Sequence, residues 1–289
     1  MAIILIEGIT TKMYSVSYVF NNNGVIAIDM NENQAKVILG KGVGFGKKVS
    51  QRFEKPQECT MYRLAQETER GSAKELVKGI APEYLEIADA ILTEAQRVFG
   101  DSIDRGILFP LADHISFAVA RIRRNEQISN PLTEDIKVLF YSEFKVAETL
   151  KTILKERLQI EIDDHEVGYV ALHIHSAIGD EKVSVAMQTA RAVRECIDMI
   201  EKATGKPIDV LSLSYNRLMN HMKYMVARAS TGEKLTLDMN EYMLDQYPQA
   251  YEIAADICKN LESCIGHKLD ETEIGYLAMH IQRVYKDAV

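Results

Sequence analysis

Four histidines recur in this chain at a fixed spacing. His114 and His173 lie 59 residues apart, as do His221 and His280, and the second pair follows the first by 107 residues. A neutral imidazole takes a proton, a metal ion or another electrophile at a ring nitrogen, so paired histidines point to ligand, acid–base or switching chemistry. The offset covers more than histidines. Asp-His-Ile-Ser-Phe-Ala-Val-Ala-Arg at 113–121 lies over Asn-His-Met-Lys-Tyr-Met-Val-Ala-Arg at 220–228. Glu-Val-Gly-Tyr-Val-Ala-Leu-His-Ile at 166–174 lies over Glu-Ile-Gly-Tyr-Leu-Ala-Met-His-Ile at 273–281. A module duplicated with both histidines performs one task twice or serves as a switch.

The elements that position these histidines read as helices. Leu111, Ile115, Ala118, Val119 and Ile122 fall on one helical stripe, and Leu218, Met222, Met225 and Val226 repeat it. Val167, Val170, Ala171 and Ile174 form a second stripe, repeated by Ile274, Leu277, Ala278 and Ile281. Asp163, Asp164 and Asp270 stand where helix N-caps belong. On these helices the four histidines are expected at the edges of the apolar stripes, within reach of solvent. The pattern turns helical from about Pro56, and the modules are placed at 72–184 and 185–289, joined near 180–184, with a linker at 61–71.

Ahead of them, residues 14–50 read as short strands and turns. Apolar runs at 14–20, 25–29 and 35–39 are separated by Asn21, Asn22, Asn23, Gly24 and by 30–34. Such a unit has a weak core of its own, and a homodimer is the simple remedy. Residues 13–55 carry six bases against three acids, a net +3 in a chain of net charge −8. A basic head on an acidic body suggests a module that binds a polyanion. The loop Gly-Lys-Gly-Val-Gly-Phe-Gly at 40–46, followed by Lys47 and Lys48, fits that reading.

Composition sets outer limits. With 47% hydrophobic and 26% charged residues the chain is ordinary for a soluble protein. No apolar run reaches the roughly 18 residues of a membrane span, and no signal peptide opens the chain. Cys59, Cys196, Cys258 and Cys264 have no CxxC spacing and read as reduced thiols of a cytoplasmic protein.

The residues quoted so far carry a family resemblance over nearly the whole chain. With Asn-Asn-Asn-Gly-Val at 21–25, Gly-Lys-Gly-Val-Gly-Phe-Gly-Lys-Lys at 40–48, and the repeated histidine motifs at 113–118, 168–177, 220–221 and 275–281, it resembles the BglG/SacY/LicT family of transcriptional antiterminators. Gly-Phe-Gly-Lys-Lys and Leu-His-Ile-His-Ser-Ala bring it nearest the glucose-type, GlcT-like subgroup. The resemblance implies a multidomain fold: a small all-β, dimeric co-antiterminator head (residues 1–60) with an antiparallel sheet, then two all-α helical-bundle regulation domains of the phosphotransferase system. It implies that the head clamps an RNA hairpin overlapping a terminator. It also implies that His114, His173, His221 and His280 are phosphorylated by the phosphocarrier HPr and the EIIB domain of a sugar permease. No catalytic residue, cofactor or metal is expected. Two departures stand out. The family often carries a Lys shortly before the Asn run, where this chain has Ser15–Phe20, so a phosphate contact is missing there. Residues 1–12 precede the family's usual start and read as an extension or a misassigned start.

Physical chemistry narrows the sites. Asn21 and Asn23 have short amides suited to base edges and 2′-hydroxyls, Gly40 and Gly42 permit close backbone approach, Phe45 offers a stacking surface, and Lys41 and Lys47 meet phosphates. Arg121 and Arg228, seven residues past His114 and His221, are candidate charge partners. His165, His175 and His267 lack counterparts in the other copy and read as surface or structural. Two competing functions fit less well. A metal-dependent enzyme built on His173 and His175 has no HExxH, and the pair does not recur. A DNA-binding regulator with the same sensory modules needs a recognition helix or an ATPase module, and neither motif is present.

Overall fold

The computed structural model describes residues 12–64, 77–179, 182–209 and 212–287. The extension at 1–12, apart from Lys12, the linker from residue 65 and the start of the junction at 180–184 lie outside the described residues. Two compact units divide the chain, Met1–Glu126 and Gln127–Val289.

The first unit opens with an antiparallel sheet of order β4-β1-β2-β3-β5. The three expected strands are β1 (Met13–Asn21), β2 (Gly24–Asp29) and β3 (Gln34–Leu39). Two more flank them: β4 (Arg52–Glu54) pairs with β1, and β5 (Thr60–Arg63) pairs with β3. The expectation that helices begin near Pro56 is therefore corrected, and the sheet runs past residue 60. At three and four residues these edge strands are too short to show alternation, and Phe53 alone is buried in β4.

One sheet face carries Tyr14, Val16, Val25, Ala27, Ile38, Val43 and Phe53 as a core. Lys36 and Asp29 are buried beside it as an ion pair of 2.7 Å, with Glu32 2.8 Å from the same ammonium. Lys36 is thus neutralised within the sheet and is not part of the basic surface. On the opposite face cross-strand pairing places Tyr18, Ile26, Val37 and Tyr62 in one row. Helices of the same unit cover that row. Lys78, from the segment just ahead of these helices, lies over the Tyr18 ring, and Tyr62 packs edge-on against Phe109. The helices are α1 (Pro82–Phe99) and α2 (Leu108–Arg123). A sheet this small needs a second layer to be stable, and α1 and α2 supply it within the chain.

The second unit contains α3 (Thr133–Leu139), α4 (Tyr141–Ala147), α5 (Thr149–Leu158) and α6 (Asp164–Gly179), then α7 (Val183–Thr204), α8 (Leu213–Thr231), α9 (Asn240–Gln246), α10 (Pro248–Ile265) and α11 (Thr272–Asp287). Shifted by 107 residues, α1, α2, α3 and α6 fall on α7, α8, α9 and α11. The two short helices α4 and α5, broken at Glu148, correspond to the single helix α10. The duplication seen in the motifs is thus a duplication of elements. Asp163 caps α6 by accepting from the amides of His165 and Glu166, and Asp270 caps α11 through the amide of Thr272. Within the second copy α7 packs on α10, α10 on α11 and α11 on α8. Val167, Val170, Ala171, Ile174, Leu277, Ala278 and Ile281 are fully buried, as their stripes predict.

Candidate nucleic-acid interface and histidine cluster

The tight turn between β1 and β2 and the glycine-rich loop after β3 lie side by side at one end of the sheet. The turn is closed by its own side chain, because the Asn23 amide donates to Asn21 Oδ1 at 2.8 Å. Three bonds then stitch the loop to the turn. Gly40 N–H donates to the Asn23 carbonyl at 2.9 Å, Gly44 N–H to the Asn22 carbonyl at 2.9 Å, and Gly42 N–H to Asn23 Oδ1 at 3.1 Å. Gly42 adopts a φ of 74°, which glycine takes without strain. Gly44 is packed so closely that a Cβ would stand 2.0 Å from the Asn21 carbonyl oxygen.

This lattice presents the expected residues together. Lys41 and Gly42 are exposed at the loop tip, and the Phe45 ring is 73% exposed, in keeping with a stacking role. Lys47 is half-buried, and its ammonium lies 4.4 Å from the centroid of the Phe53 ring. A cation–π contact holds it beside that ring. The amides of Asn21 and Asn23 both reach Glu86 on α1, at 3.0 and 3.4 Å. Sequence reasoning missed Glu86 and Gly44. Nothing local marks Glu86, whereas Gly44 sat unremarked inside the quoted loop motif.

The histidines are placed differently. His114 lies on α2 of the first unit and His173 on α6 of the second. His221 on α8 and His280 on α11 come together, with ring centroids 4.8 Å apart and planes inclined by 27°. Tyr276, one helical turn before His280, lies parallel to the His221 ring at 6.2 Å. The expected edge placement, partly apolar and partly open, holds in part: all four histidines are half-buried. The His221 side chain is 9% exposed, and its Nε2 and the His280 Nδ1 are buried atoms. The same two atoms, Nε2 and Nδ1, are buried at His114 and His173, so the duplication extends to which nitrogen is enclosed.

The candidate partner Arg228 does not pair with His221. It makes a two-pronged bond to Glu273, at 2.6 and 2.8 Å, and Glu273 is 2% exposed. Breaking one side of such a buried pair costs about 3–5 kcal/mol. Sequence reasoning missed Glu273, yet the signal was there: both copies of the second motif open on a glutamate, Glu166 and Glu273, and Glu166 is buried as well. His175 bonds Glu143 at 2.9 Å and packs on Phe140, and His165 bonds Thr133 at 2.8 Å. Both fill structural places, as their lack of counterparts suggested. Among the described residues no group of three or more His, Cys, Asp or Glu side chains is arranged to hold a metal ion, and no helix is long and apolar enough to cross a membrane.

Comparison with known proteins follows the same division. Residues 14–71 match the CAT RNA binding domain, and residues 89–177 and 194–284 each match the PRD domain. Over 93% of its length the chain is 29% identical to the GlcA/glcB genes antiterminator of Staphylococcus carnosus (strain TM300), of which it covers 94%. It is 27% identical to transcription antiterminator LicT of Bacillus subtilis (strain 168), over 92% of this chain and 98% of that protein. The crystal structure of GlcT CAT-PRDI aligns with 58% of this chain and 99% of its own, at a TM-score of 0.50 and 27% identity.

Proposed function

Because the chain belongs to the PRD domain family, with a CAT RNA binding domain ahead of its two PRD copies, we propose that it is a cytoplasmic transcription antiterminator. Its head binds an RNA hairpin that overlaps a terminator in the leader of a sugar phosphotransferase-system operon. The observation that carries this is the stitched turn and loop, which gathers Asn21, Asn23, Gly40, Lys41, Gly42 and Phe45 on one end of the sheet. Two such ends, in a homodimer, would clamp one hairpin. The protein catalyses no reaction in this reading. It responds to phosphate placed on His114, His173, His221 and His280 by HPr and a permease EIIB domain.

Phosphorylation adds nearly two negative charges. In the second copy these would enter a seam already occupied by the Glu273 carboxylate, so the α8–α11 contact must open to accept them. A bias of 2–3 kcal/mol between two arrangements changes the active fraction by roughly 30- to 150-fold. That is enough for a transcriptional switch.

Lys41→Ala is expected to weaken hairpin binding roughly three- to tenfold near 0.1 M salt and to reduce the slope of log affinity against log salt by about one. A salt titration by fluorescence anisotropy checks this, and unchanged affinity and slope would remove Lys41 from the interface. Incubation with phosphorylated HPr and a permease EIIB domain is expected to leave acid-labile phosphate on His114 or His173. Peptide mass spectrometry that finds label only elsewhere defeats the site assignment.

A further inference from the structure

The donors that would read RNA are already in use. Asn21 and Asn23 each spend the side-chain carbonyl inside the turn and loop, on Asn23 N–H and Gly42 N–H. What remains for a ligand is the amide NH2 of each residue. Both of these groups point at one oxygen of Glu86, at 3.0 and 3.4 Å. A carboxylate oxygen accepting from two amides is the kind of partner that a phosphate or 2′-hydroxyl oxygen of RNA would offer.

The helix that carries Glu86 is fastened to the head three residues further on. Arg105 Nη2 lies 2.8 Å from both the Tyr62 hydroxyl and Asp89 Oδ1, and the Tyr62 hydroxyl also donates to Asp89. Tyr62 belongs to β5, the edge strand absent from the sequence-based expectation, and Asp89 to α1. Burial and the adjacent Asp89 raise the Tyr62 phenol far above its ordinary value, so it stays a hydrogen-bond donor in this clasp.

We propose that Glu86 is an internal competitor of RNA: its carboxylate occupies the reading amides of Asn21 and Asn23, and the hairpin binds only when this edge of α1 lifts from the head. The inference rests on the RNA-binding reading above. It adds a gate formed by the regulation domain's first helix. The Arg105 clasp sets how readily the gate opens. Docked, Glu86 blocks the amides and places a negative charge where a phosphate would arrive. Lifted, it frees two donors beside Lys41.

The test uses the full chain and an in vitro transcribed RNA spanning the terminator-overlapping hairpin of a sugar-permease leader. Glu86→Ala is expected to tighten binding about tenfold, and Glu86→Gln, which keeps the oxygen but loses the charge, by a smaller factor. In RNA-free protein the side-chain amide proton signals of Asn21 and Asn23 are expected to shift in Glu86→Ala. Asn23→Ala serves as the control and is expected to weaken binding in either background. If Glu86→Ala binds as wild type or more weakly while Asn23→Ala loses binding, Glu86 is a positioning residue and the gate is overturned with the RNA reading intact. If Asn23→Ala binds as wild type does, the RNA reading itself fails and takes the gate with it.

Discussion

Replacing Gly44 with alanine is expected to abolish hairpin binding, by at least about 100-fold, and to destabilise the head by about 3 kcal/mol or more. The added Cβ would stand 2.0 Å from the Asn21 carbonyl oxygen and 3.1 Å from that of Gly24, and both neighbours are backbone. Neither can rotate aside as a side chain would. The loop must lift from the turn, breaking the bond from Gly44 N–H to Asn22 and, through the loop, the tie from Gly42 N–H to Asn23 Oδ1. Asn23 then loses the contact that orients its amide, and Lys41 and Phe45 lose their placement. Gly42→Ala is the informative contrast. A Cβ there meets nothing, but the φ of 74° is left-handed, so the expected cost is only about 1–2 kcal/mol with a modest loss of binding. Thermal unfolding and RNA titration of the two variants separate steric collapse from backbone strain. Wild-type behaviour of Gly44→Ala would show that the loop does not sit on the turn.

The loop also marks how far the sequence could be read. The run 40–46 announces a glycine-rich turn near a basic cluster, but it does not say which glycine is pressed against another strand. That depends on the register bringing Asn22 beside Gly44. The three longer strands and the duplicated helices were legible because their apolar runs persist over five residues or more. The edge strands β4 and β5 were not, since three or four residues hold no period. The offset of 107 was legible down to single side chains: it pairs Arg121 with Arg228 and Glu166 with Glu273. The pairing of Arg228 with Glu273 joins residues 45 positions apart, so it needed the packing of α8 on α11. Glu86 was invisible for the same reason, being 65 residues from Asn21. Helix amphipathicity placed the histidines at stripe edges, and in the second copy the packing of α8 on α11 then stacked His221 on His280 there. Periodicity describes one helix, whereas burial depends on its neighbour.

The closed seam carries a consequence that acid should expose. Burial, then the neighbouring His280 and Arg228, push the His221 pKa down to about 3. Burial, then Arg283 and Arg217, push that of His280 down to about 4. Glu273 would ordinarily oppose this, since its carboxylate lies 3.7 Å from His221 Nε2. It fails to because that separation is beyond hydrogen-bond reach and both of its oxygens are held by Arg228. The stack is therefore two neutral imidazoles at physiological pH, the form able to accept a phosphoryl group. In the unfolded chain each imidazole titrates near the ordinary value of about 6.5. As pH falls below that value the unfolded state takes up protons that the folded state refuses. The stability of the second copy is then fully present above about pH 6.5 and is lost as pH drops toward 4 and 3. Between pH 7 and pH 5 the expected loss is about 2–4 kcal/mol for the two residues together. Hydrogen exchange of the α8 and α11 amides, corrected for its intrinsic pH dependence, reads this directly. The double variant His221→Gln with His280→Gln should flatten the profile by that amount. An equally steep profile in the double variant would mean that the histidines are charged or solvated in the folded protein and that the seam is open.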